Sequence, residues 1–213
     1  GGEWEFLTRL PERWTIQHQD LRFYVRPTGF KHTGLFPEQA ANWVWMGDLI
    51  RNSGRKDIRV LNLFGYTGGA TLACMSAGAH VTHELSKLPE ERSRWIVEDA
   101  LRFVQREIRR GNTYDGILMD PPSYGRGPSG EVWKLENELF GLVDTSAKVL
   151  SDKPLFFLIN SYTTGFQASV LSNMLMKCVS SRHGGIIDAQ ELCLPVTTGG
   201  VLPCGASGRW SAE

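Results

Sequence analysis

The stretch Ile58-Arg-Val-Leu-Asn-Leu-Phe-Gly-Tyr-Thr-Gly-Gly-Ala70 decides the fold, because an apolar run breaks into glycines and then into helix-forming residues. Residues 60–64 are typical of a strand that is buried on both faces. The turn that follows contains Gly65, Gly68 and Gly69. Glycines let the backbone bend sharply and approach a ligand closely. Residues 70–77 then predict a helix, so a ligand at this turn would contact backbone amides at the start of a helix.

The spacing of these glycines excludes two common nucleotide-binding turns. It does not match G-x-G-x-x-G, whose glycines admit a dinucleotide pyrophosphate, and this disfavours a dehydrogenase. No G-K-[ST] follows, so a phosphate-binding P-loop is excluded as well. A turn that only connects a strand to a helix is the alternative, and a second motif bears on that choice.

The second motif is Asp120-Pro-Pro-Ser-Tyr124, which follows another predicted buried strand. Open α/β sheets bind their ligands at this carboxyl edge. Two prolines stiffen the backbone and have no amide donors of their own, so neighbouring carbonyl groups can face a substrate. The alternative is a turn that merely ends the strand.

Both motifs resemble those of one enzyme class. Residues 62–69, N-x-F-x-Y-T-G-G, resemble motif I of class I S-adenosylmethionine-dependent methyltransferases, in particular the ribosomal-RNA large-subunit cytosine methyltransferase family and its uncharacterised relatives. Residues 120–124 resemble motif IV, D-P-P-x-[FY], of methyltransferases that act on a planar nitrogen base. Residues 33–39 match a T-G-x-F-x-x-Q segment that lies against the cofactor in the family, although a turn with packed aromatic rings is the alternative.

The resemblance implies S-adenosylmethionine as the cofactor and assigns roles to individual residues. The implied cofactor-binding residues are Phe36, Gln39, Asn62, Phe64, Gly65, Tyr66, Thr67, Gly68, Gly69, Asp99 and Asp120. The implied catalytic residues are Asp120, Pro121, Pro122 and Tyr124. In the family the acid and a proline carbonyl orient the acceptor, and the aromatic ring stacks on the base. Asp99 would accept the adenine amino group, or it could serve as a helix N-cap, or both.

Strand and helix patterns alternate from residue 58 onward, which predicts a doubly wound parallel sheet with an antiparallel end. We therefore expect an α/β fold with a Rossmann-like seven-stranded sheet. Residues 1–31 predict a small N-terminal β appendage, and residues 32–213 the methyltransferase domain. The predicted appendage strands lie at 4–7, 14–18 and 21–25. The predicted helices lie at 40–52, 70–77, 101–110, 132–150 and 166–181. The later predicted strands lie at 79–83, 95–99, 114–119, 155–160, 186–194 and 201–210.

One connection is too short for this fold. About ten residues separate His83 from Arg94, whereas a parallel crossover with its helix needs at least that many and usually more. We therefore expect residues to be missing between these positions. In the family the acid that holds the cofactor ribose ends the second strand, and for this reason Glu84 is not assigned that role.

Composition sets broader bounds. The chain has 213 residues, is 41% hydrophobic and carries 23 basic and 23 acidic side chains. This suits one folded α/β domain, and the zero net charge argues against non-specific binding of long duplex nucleic acid. RNA would then be bound through a local patch, through a module that is missing from this sequence, or not at all. No apolar run approaches the ~20 residues of a membrane span and no leader opens the chain, so a cytoplasmic location is expected.

Cysteine usage bears on metals and on the methylated atom. The four cysteines, Cys74, Cys178, Cys193 and Cys204, include no C-x-x-C pair, so neither a disulfide framework nor a metal site is expected. Enzymes that make 5-methylcytosine need a cysteine nucleophile, which in the family follows the fifth strand. Here the corresponding turn is Asn160-Ser161-Tyr162, and the pattern places no cysteine beside Asp120.

The sequence therefore predicts methylation of a nitrogen on an RNA base, with ribosomal RNA as the leading substrate. A cofactor-binding module without activity, acting as an RNA or protein adaptor, is the alternative. The sequence does not set the oligomeric state.

Overall fold

A computed structural model describes residues 4–29, 32–83, 93–127 and 130–212. The strands are β1 (Trp14–His18), β2 (Leu21–Val25), β3 (Arg59–Leu63), β4 (His80–His83), β5 (Ser93–Trp95), β6 (Gly116–Met119), β7 (Tyr124–Arg126), β8 (Val132–Lys134), β9 (Phe156–Ser161), β10 (Ile186–Pro195) and β11 (Val201–Ser211). The helices are α1 (Ala40–Asn52), α2 (Gly69–Ser76), α3 (Ala100–Arg110), α4 (Leu135–Ala147), α5 (Ala168–Leu175) and α6 (Ser181–His183). A 3-10 turn spans Pro37–Gln39 and a π-helical turn spans Met176–Ser180.

The central sheet has seven strands in the order β10-β11-β9-β6-β3-β4-β5. Neighbours from β9 to β5 are parallel, while β11 pairs antiparallel with both β9 and β10. The predicted doubly wound sheet with an antiparallel end is therefore confirmed. Because β3, β6 and β9 lie side by side, their carboxyl ends share one edge of the sheet.

The core is divided between the two faces of this sheet. One face packs α1 and α2 around residues such as Met46 and Cys74, and the β1–β2 hairpin adds Phe23 and Val25 to this cluster. The other face packs α3, α4 and α5. Among the helices of the described residues, none combines the length and apolarity that a bilayer span requires.

The N-terminal prediction of three strands is wrong for the first of them. Residues 4–6 have no regular structure, and Leu7 is 87% exposed. The indole N–H of Trp4 donates to the Thr28 carbonyl oxygen at 2.9 Å, which ties the segment to the loop after β2. Among the described residues, no strand pairs with this segment, so its alternating aromatic residues have no ladder of hydrogen bonds to join.

The long helix predicted from Val132 to Leu150 is also corrected. Residues 132–134 form β8, which pairs antiparallel with β7, and α4 begins only at Leu135. The indole N–H of Trp133 donates to the Pro122 carbonyl oxygen at 2.7 Å, and this tertiary bond favours the extended conformation. The strand predicted at 95–99 is shorter than expected, since β5 ends at Trp95. The helix predicted from Phe166 begins at Ala168 and continues as the π-helical turn from Met176.

The short connection after β4 cannot be judged from the structure. Residues 84–92, including Glu84, lie outside the described residues, so the expectation of missing residues and the ribose-binding acid stay open.

Candidate active site

The turn between β3 and α2 has an unusual backbone. Gly68 is the N-cap of α2 in the left-handed conformation, with a φ of 88°, and its N–H donates to the Gly65 carbonyl oxygen at 2.8 Å. Phe64 and Tyr66 also have positive φ values, of 62° and 46°. Positive φ is uncommon for residues other than glycine and clusters at ligand-binding turns. The turn therefore presents its backbone at the carboxyl edge of β3.

Three of the predicted cofactor-binding residues in this motif support the turn itself. Asn62 is buried and its side-chain amide donates to the Thr71 hydroxyl at 2.9 Å, which ties β3 to α2. The Thr67 hydroxyl donates to the Gly34 carbonyl oxygen at 2.8 Å. A Cβ on Gly69 would lie 2.9 Å from Cζ2 of Trp43, so this glycine allows α2 to pack against α1.

A cavity of about 590 Å³ opens beside this turn. Phe64 after β3, Asp99 before α3 and Pro122 after β6 line it together with the β7–β8 hairpin. Asp99 is exposed, and its carboxylate accepts the Arg102 backbone N–H at 2.9 Å, so it does serve as the N-cap of α3. The capping role leaves the predicted contact with adenine as a separate prediction.

The second motif lies next to the first, because the Asp120 N–H donates to the Leu63 carbonyl oxygen at 3.3 Å. The Pro122 carbonyl oxygen is already bonded to Trp133, as described above. Tyr124 is half exposed on β7, and its hydroxyl accepts the Nε–H of Arg126 at 2.7 Å. Of the four predicted catalytic residues, Asp120 is the one that lies nearest to the carboxyl ends of both β3 and β9.

Asp120 belongs to an acidic pair. Burial, followed by the nearby carboxylate of Glu38, raises the pKa of Asp120 to about 7. Glu38 lies in the 3-10 turn and is only 7% exposed. Within the part of the chain that the structure describes, neither carboxylate forms an ion pair with a lysine, arginine or histidine. The pair is therefore suited to a ligand that carries positive charge or donates hydrogen bonds.

A hydrogen-bond network positions Tyr162 beside this pair. The side-chain oxygen of Gln39 accepts from the amides of Asn42, at 2.8 Å, and of Asn160, at 3.1 Å. Its amide nitrogen must then point the other way, and it donates to the Tyr162 hydroxyl at 2.7 Å. Burial and the Asp120 carboxylate raise the pKa of Tyr162, so this hydroxyl keeps its proton.

The segment that carries Glu38 crosses the edge of the sheet from β3 to β9. Phe36 lies between two aromatic rings, with centroid distances of 5.3 Å to Tyr66 and 5.7 Å to Tyr162. The predicted cofactor residues Phe36 and Gln39 are thus brought to the same edge as Asp120. These packed aromatic rings agree with the alternative for residues 33–39, and contact of this segment with the cofactor stays a prediction.

Cys204 lies closer to the site than the sequence pattern indicated. It lines a second cavity, of about 370 Å³, together with Tyr162 and Gly205. Burial and the Glu38 carboxylate raise the pKa of its thiol, which disfavours the reactive thiolate. Its Sγ–H donates to the Leu202 carbonyl oxygen at 3.4 Å.

Sequence reasoning did not assign roles to Glu38, Tyr162 or Trp133. Glu38 stands at an unspecified position of the T-G-x-F-x-x-Q segment, and Tyr162 was considered only as a position lacking a cysteine. The only indication in the sequence was the residue type. Glu38 lies in the segment 33–39 and Tyr162 follows the strand predicted at 155–160, and both segments were expected at this edge of the sheet. The electrostatic interaction of Glu38 with Tyr162 joins residues 124 positions apart, which no local pattern reveals.

No family model matches the chain. A solved structure of a SAM-dependent methyltransferase from Agrobacterium tumefaciens is 36% identical, with a TM-score of 0.90, over 100% of this chain and 74% of that one. Ribosomal RNA large subunit methyltransferase K of Neisseria meningitidis is 22% identical over 75% of this chain and 48% of its own length. Ribosomal RNA large subunit methyltransferase I of an Enterobacter species is 25% identical over 51% of this chain and 30% of its own length. The chain thus spans about half, or less, of these curated relatives.

Proposed function

This chain belongs to the S-adenosylmethionine-dependent methyltransferases, and we propose that it methylates a nitrogen atom on a base of RNA, with ribosomal RNA as the substrate. The substrate class is supported by the names of the curated relatives, which are ribosomal RNA large subunit methyltransferases. A cytoplasmic location is part of the same proposal, because ribosomal RNA is found there. The observation that carries the nitrogen assignment is the Glu38–Asp120 acidic pair.

The residues present fit S-adenosylmethionine. The cofactor has a planar adenine, a ribose and a cationic sulfonium, and when bound it supplies a methyl group to a nucleophile. The cavity lined by Phe64, Asp99 and Pro122 has apolar side chains on one wall and several carboxylates, of which Asp99 would accept from the adenine amino group. The Gly65–Gly69 turn would hold the amino acid end of the cofactor. The Asp120 carboxylate has no basic partner among the described residues, which would favour a cation there.

The chain's own residues would act mainly by positioning the acceptor. Asp120 is partly exposed at the edge between β3 and β9, so its carboxylate can accept a hydrogen bond from the acceptor and then take up a proton. The Tyr124 ring on β7 would stack on a base near the β7–β8 hairpin. The Pro122 carbonyl oxygen already accepts a hydrogen bond from Trp133. The Pro121 carbonyl would therefore be the proline group that orients the substrate.

Methylation of cytosine C5 is disfavoured by the state of the nearest thiol. That reaction needs a thiolate to add to the ring, and the raised pKa of Cys204 keeps its thiol protonated. Ser161, at the position where the family's cysteine is expected, is buried, and a neutral hydroxyl is a weak nucleophile. A nitrogen acceptor needs only a carboxylate that removes a proton, and Asp120 provides one.

Methyl transfer in vitro tests the proposal. The purified chain is incubated with S-adenosylmethionine labelled in the methyl group and with total RNA from a strain that lacks the gene. We expect label in RNA from the wild-type chain and a loss of at least about 100-fold in Asp120→Ala, in line with general-base catalysis. The matched control is Asp152→Asn, because Asp152 is exposed and precedes β9, at the edge of the sheet opposite to Asp120. Cofactor binding without any transfer to RNA would instead indicate an adaptor module.

A further inference from the structure

The β7–β8 hairpin has two chemically different faces. Side chains alternate along a strand, so residues that pair across the hairpin lie on the same face. One face, which we call the outer face, consists of Tyr124 paired with Lys134 and Arg126 paired with Val132. All four of these residues are exposed, whereas Trp133 on the opposite face is partly buried. The outer face thus combines one aromatic ring and two cations on the surface.

Contacts of the opposite face hold the hairpin in place. The indole N–H of Trp133 donates to the Pro122 carbonyl oxygen at 2.7 Å, and its ring centroid lies 6.1 Å from that of Phe64. These contacts fasten the hairpin to the acceptor motif and to the end of β3. The outer face is therefore presented to solvent at a fixed place next to the motif that contains Asp120.

The two cations of the outer face have no acidic partner. Within the part of the chain that the structure describes, neither Arg126 nor Lys134 forms an ion pair with a carboxylate. The Nε–H of Arg126 donates to the Tyr124 hydroxyl at 2.7 Å, and the guanidinium carbon lies 6.0 Å from the centre of that ring. The two terminal nitrogens of this guanidinium are left to bind a ligand.

The acids next to the hairpin have other positions or partners. Glu131 forms an ion pair of 3.6 Å with Arg102. Glu136 and Glu138 lie in the first turn of α4, where the helix dipole favours negative charge, and no described ion pair joins either of them to Lys134. The positive charge of the outer face is therefore available to an anionic ligand.

An aromatic ring beside unpaired cations suits single-stranded nucleic acid, whose bases stack on the ring while its phosphates meet the cations. We propose that the outer face binds a single-stranded stretch of the RNA substrate beside the methylated base, with Tyr124 stacking on a base and Arg126 and Lys134 contacting phosphates. The inference rests on the proposed function and deepens it, because it names the form in which RNA is bound and the surface that binds it.

Two further observations favour a single strand at this place. Arg126 and Val132 also line the cavity beside the cofactor turn, so the outer face is continuous with the candidate active site. The chain as a whole has no net charge, which argues against a broad grip on duplex nucleic acid. A base within a duplex is stacked and paired, so it would have to leave the helix before it could reach Tyr124 or Asp120.

Oligonucleotide binding tests the proposal independently of methyl transfer. The chain is titrated with a fluorescently labelled oligouridine, and with the duplex of that oligouridine and oligoadenine, over a range of salt concentrations. Arg126→Gln and Lys134→Gln each remove one charge, and Arg126→Lys retains it. Their control is Lys153→Gln, because Lys153 is exposed, precedes β9 at the opposite edge of the sheet and forms no described ion pair.

A further variant, Tyr124→Leu, removes the aromatic ring. Its control is Tyr24→Leu, because Tyr24 is also exposed and also has an arginine, Arg13, over its ring. For every variant, methyl transfer from labelled S-adenosylmethionine to total RNA of a deletion strain gives KM for RNA. Calorimetry measures cofactor affinity, and thermal melting confirms folding.

We expect the wild-type chain to bind oligouridine more tightly than the duplex. Arg126→Gln and Lys134→Gln should each weaken oligouridine binding and raise KM for RNA by roughly 3- to 10-fold, as for one charged contact. The slope of log affinity against log salt should become shallower by about 0.7 for each cation removed, and Arg126→Lys should restore it. Tyr124→Leu should weaken binding by roughly fivefold or more at an unchanged slope, because stacking releases no counterions. A merely structural role would lower the melting temperature and leave the slope as it is.

Three results would overturn the inference. Variants of the outer face that bind oligouridine and total RNA as their controls do would exclude this surface, while methyl transfer by the wild-type chain would keep the proposed function intact. Tighter binding of the duplex than of oligouridine would exclude a single-stranded substrate. A loss of S-adenosylmethionine affinity in Arg126→Gln would assign that side chain to the cofactor instead. Conversely, oligouridine binding that depends on the outer face, without any methyl transfer to RNA, would refute the proposed function alone.

Discussion

The side-chain amide of Gln39 donates a hydrogen bond of 2.7 Å to the hydroxyl of Tyr162. This bond connects the 3-10 turn before α1 with the end of β9 across the carboxyl edge of the sheet. It fixes the direction of the phenol beside Asp120. Gln39 in turn accepts hydrogen bonds from the buried Asn42 and Asn160, so the Tyr162 hydroxyl is held at this edge through the core.

Gly68→Val should abolish binding of S-adenosylmethionine. Valine is strongly disfavoured at a φ of 88°, and its Cβ would block the close approach of a ligand to the turn. Isothermal calorimetry should show a loss of affinity of at least about 100-fold, because backbone amides at the turn supply much of the site. Gly54→Val, at a φ of 64° after α1, is the control for strain alone. Unchanged affinity in Gly68→Val, or tighter binding of NAD than of S-adenosylmethionine, would contradict the assignment.

Asp99→Ser should separate the two roles of Asp99. Serine is as good an N-cap as aspartate, so the melting temperature should change little. The variant also loses the carboxylate that we propose accepts a hydrogen bond from the adenine amino group, so we expect cofactor affinity to fall by roughly tenfold, which corresponds to one charged hydrogen bond. Calorimetry and thermal melting measure the two effects independently. A variant that binds the cofactor as wild type does would limit Asp99 to capping α3.

Asp120→Asn should stabilise the cofactor-free protein at alkaline pH while abolishing activity. The folded-state pKa of Asp120, about 7, is above its ordinary value, so its favourable contribution is complete at low pH and is lost as pH rises through about 7. The melting temperature of the variant should exceed that of wild type by roughly 5 °C or more at pH 8.5, for a penalty of a few kcal/mol. At pH 5 the difference should be smaller. An equal gain in melting temperature at both pH values would show that ionisation of Asp120 does not destabilise the folded protein.

Gly69→Ala tests whether this motif glycine serves packing rather than ligand approach. Its new Cβ would lie 2.9 Å from Cζ2 of Trp43, and such overpacking costs roughly 1 to 3 kcal/mol. Chemical denaturation should show this loss in the free energy of unfolding. Gly141→Ala in α4, where the added Cβ would meet no described atom within 4 Å beyond its own stretch of helix, should be neutral or stabilising. Equal stability of the two variants would refute the packing role.

Cys204→Ser should leave methyl transfer intact, because a protonated thiol takes no part in nitrogen methylation. RNA that contains 5-fluorocytosine should likewise form no covalent complex with the wild-type chain, as judged by denaturing gel electrophoresis. A trapped complex that disappears in Cys204→Ser would identify this cysteine as the nucleophile of a C5 reaction. The nitrogen assignment would then be wrong.

The sequence predicted the sheet and the two motifs well because their signals are local. Buried strands such as β3 and β9 show apolar runs, and the glycine turn needs conformations that few other residues adopt. The prediction of a helix at Val132–Lys134 was wrong, because three residues are too few to distinguish a helical from an extended pattern. The hydrogen bond from Trp133 to the Pro122 carbonyl favours the strand. It also failed at Trp4–Leu7, where an aromatic alternation lacks a partner strand.

Local sequence patterns could not predict that Glu38 and Tyr162 lie near Asp120. Glu38 and Tyr162 become part of the site only because the fold places the 3-10 turn beside the end of β9. The raised pKa of Asp120 likewise depends on burial and on a carboxylate 82 positions away. The proposed cofactor-binding residues, by contrast, could be predicted because the family motif that the sequence resembles concentrates most of them within residues 62–69.

The most direct test of RNA nitrogen methylation is quantitative mass spectrometry of nucleosides from ribosomal RNA of a gene-deletion strain and of its complemented parent. We predict that one base-methylated nucleoside with its methyl group on nitrogen is lost on deletion, returns with the wild-type gene and does not return with Asp120→Ala. Loss of 5-methylcytidine instead, or an unchanged nucleoside profile in the deletion strain, would contradict the proposed function.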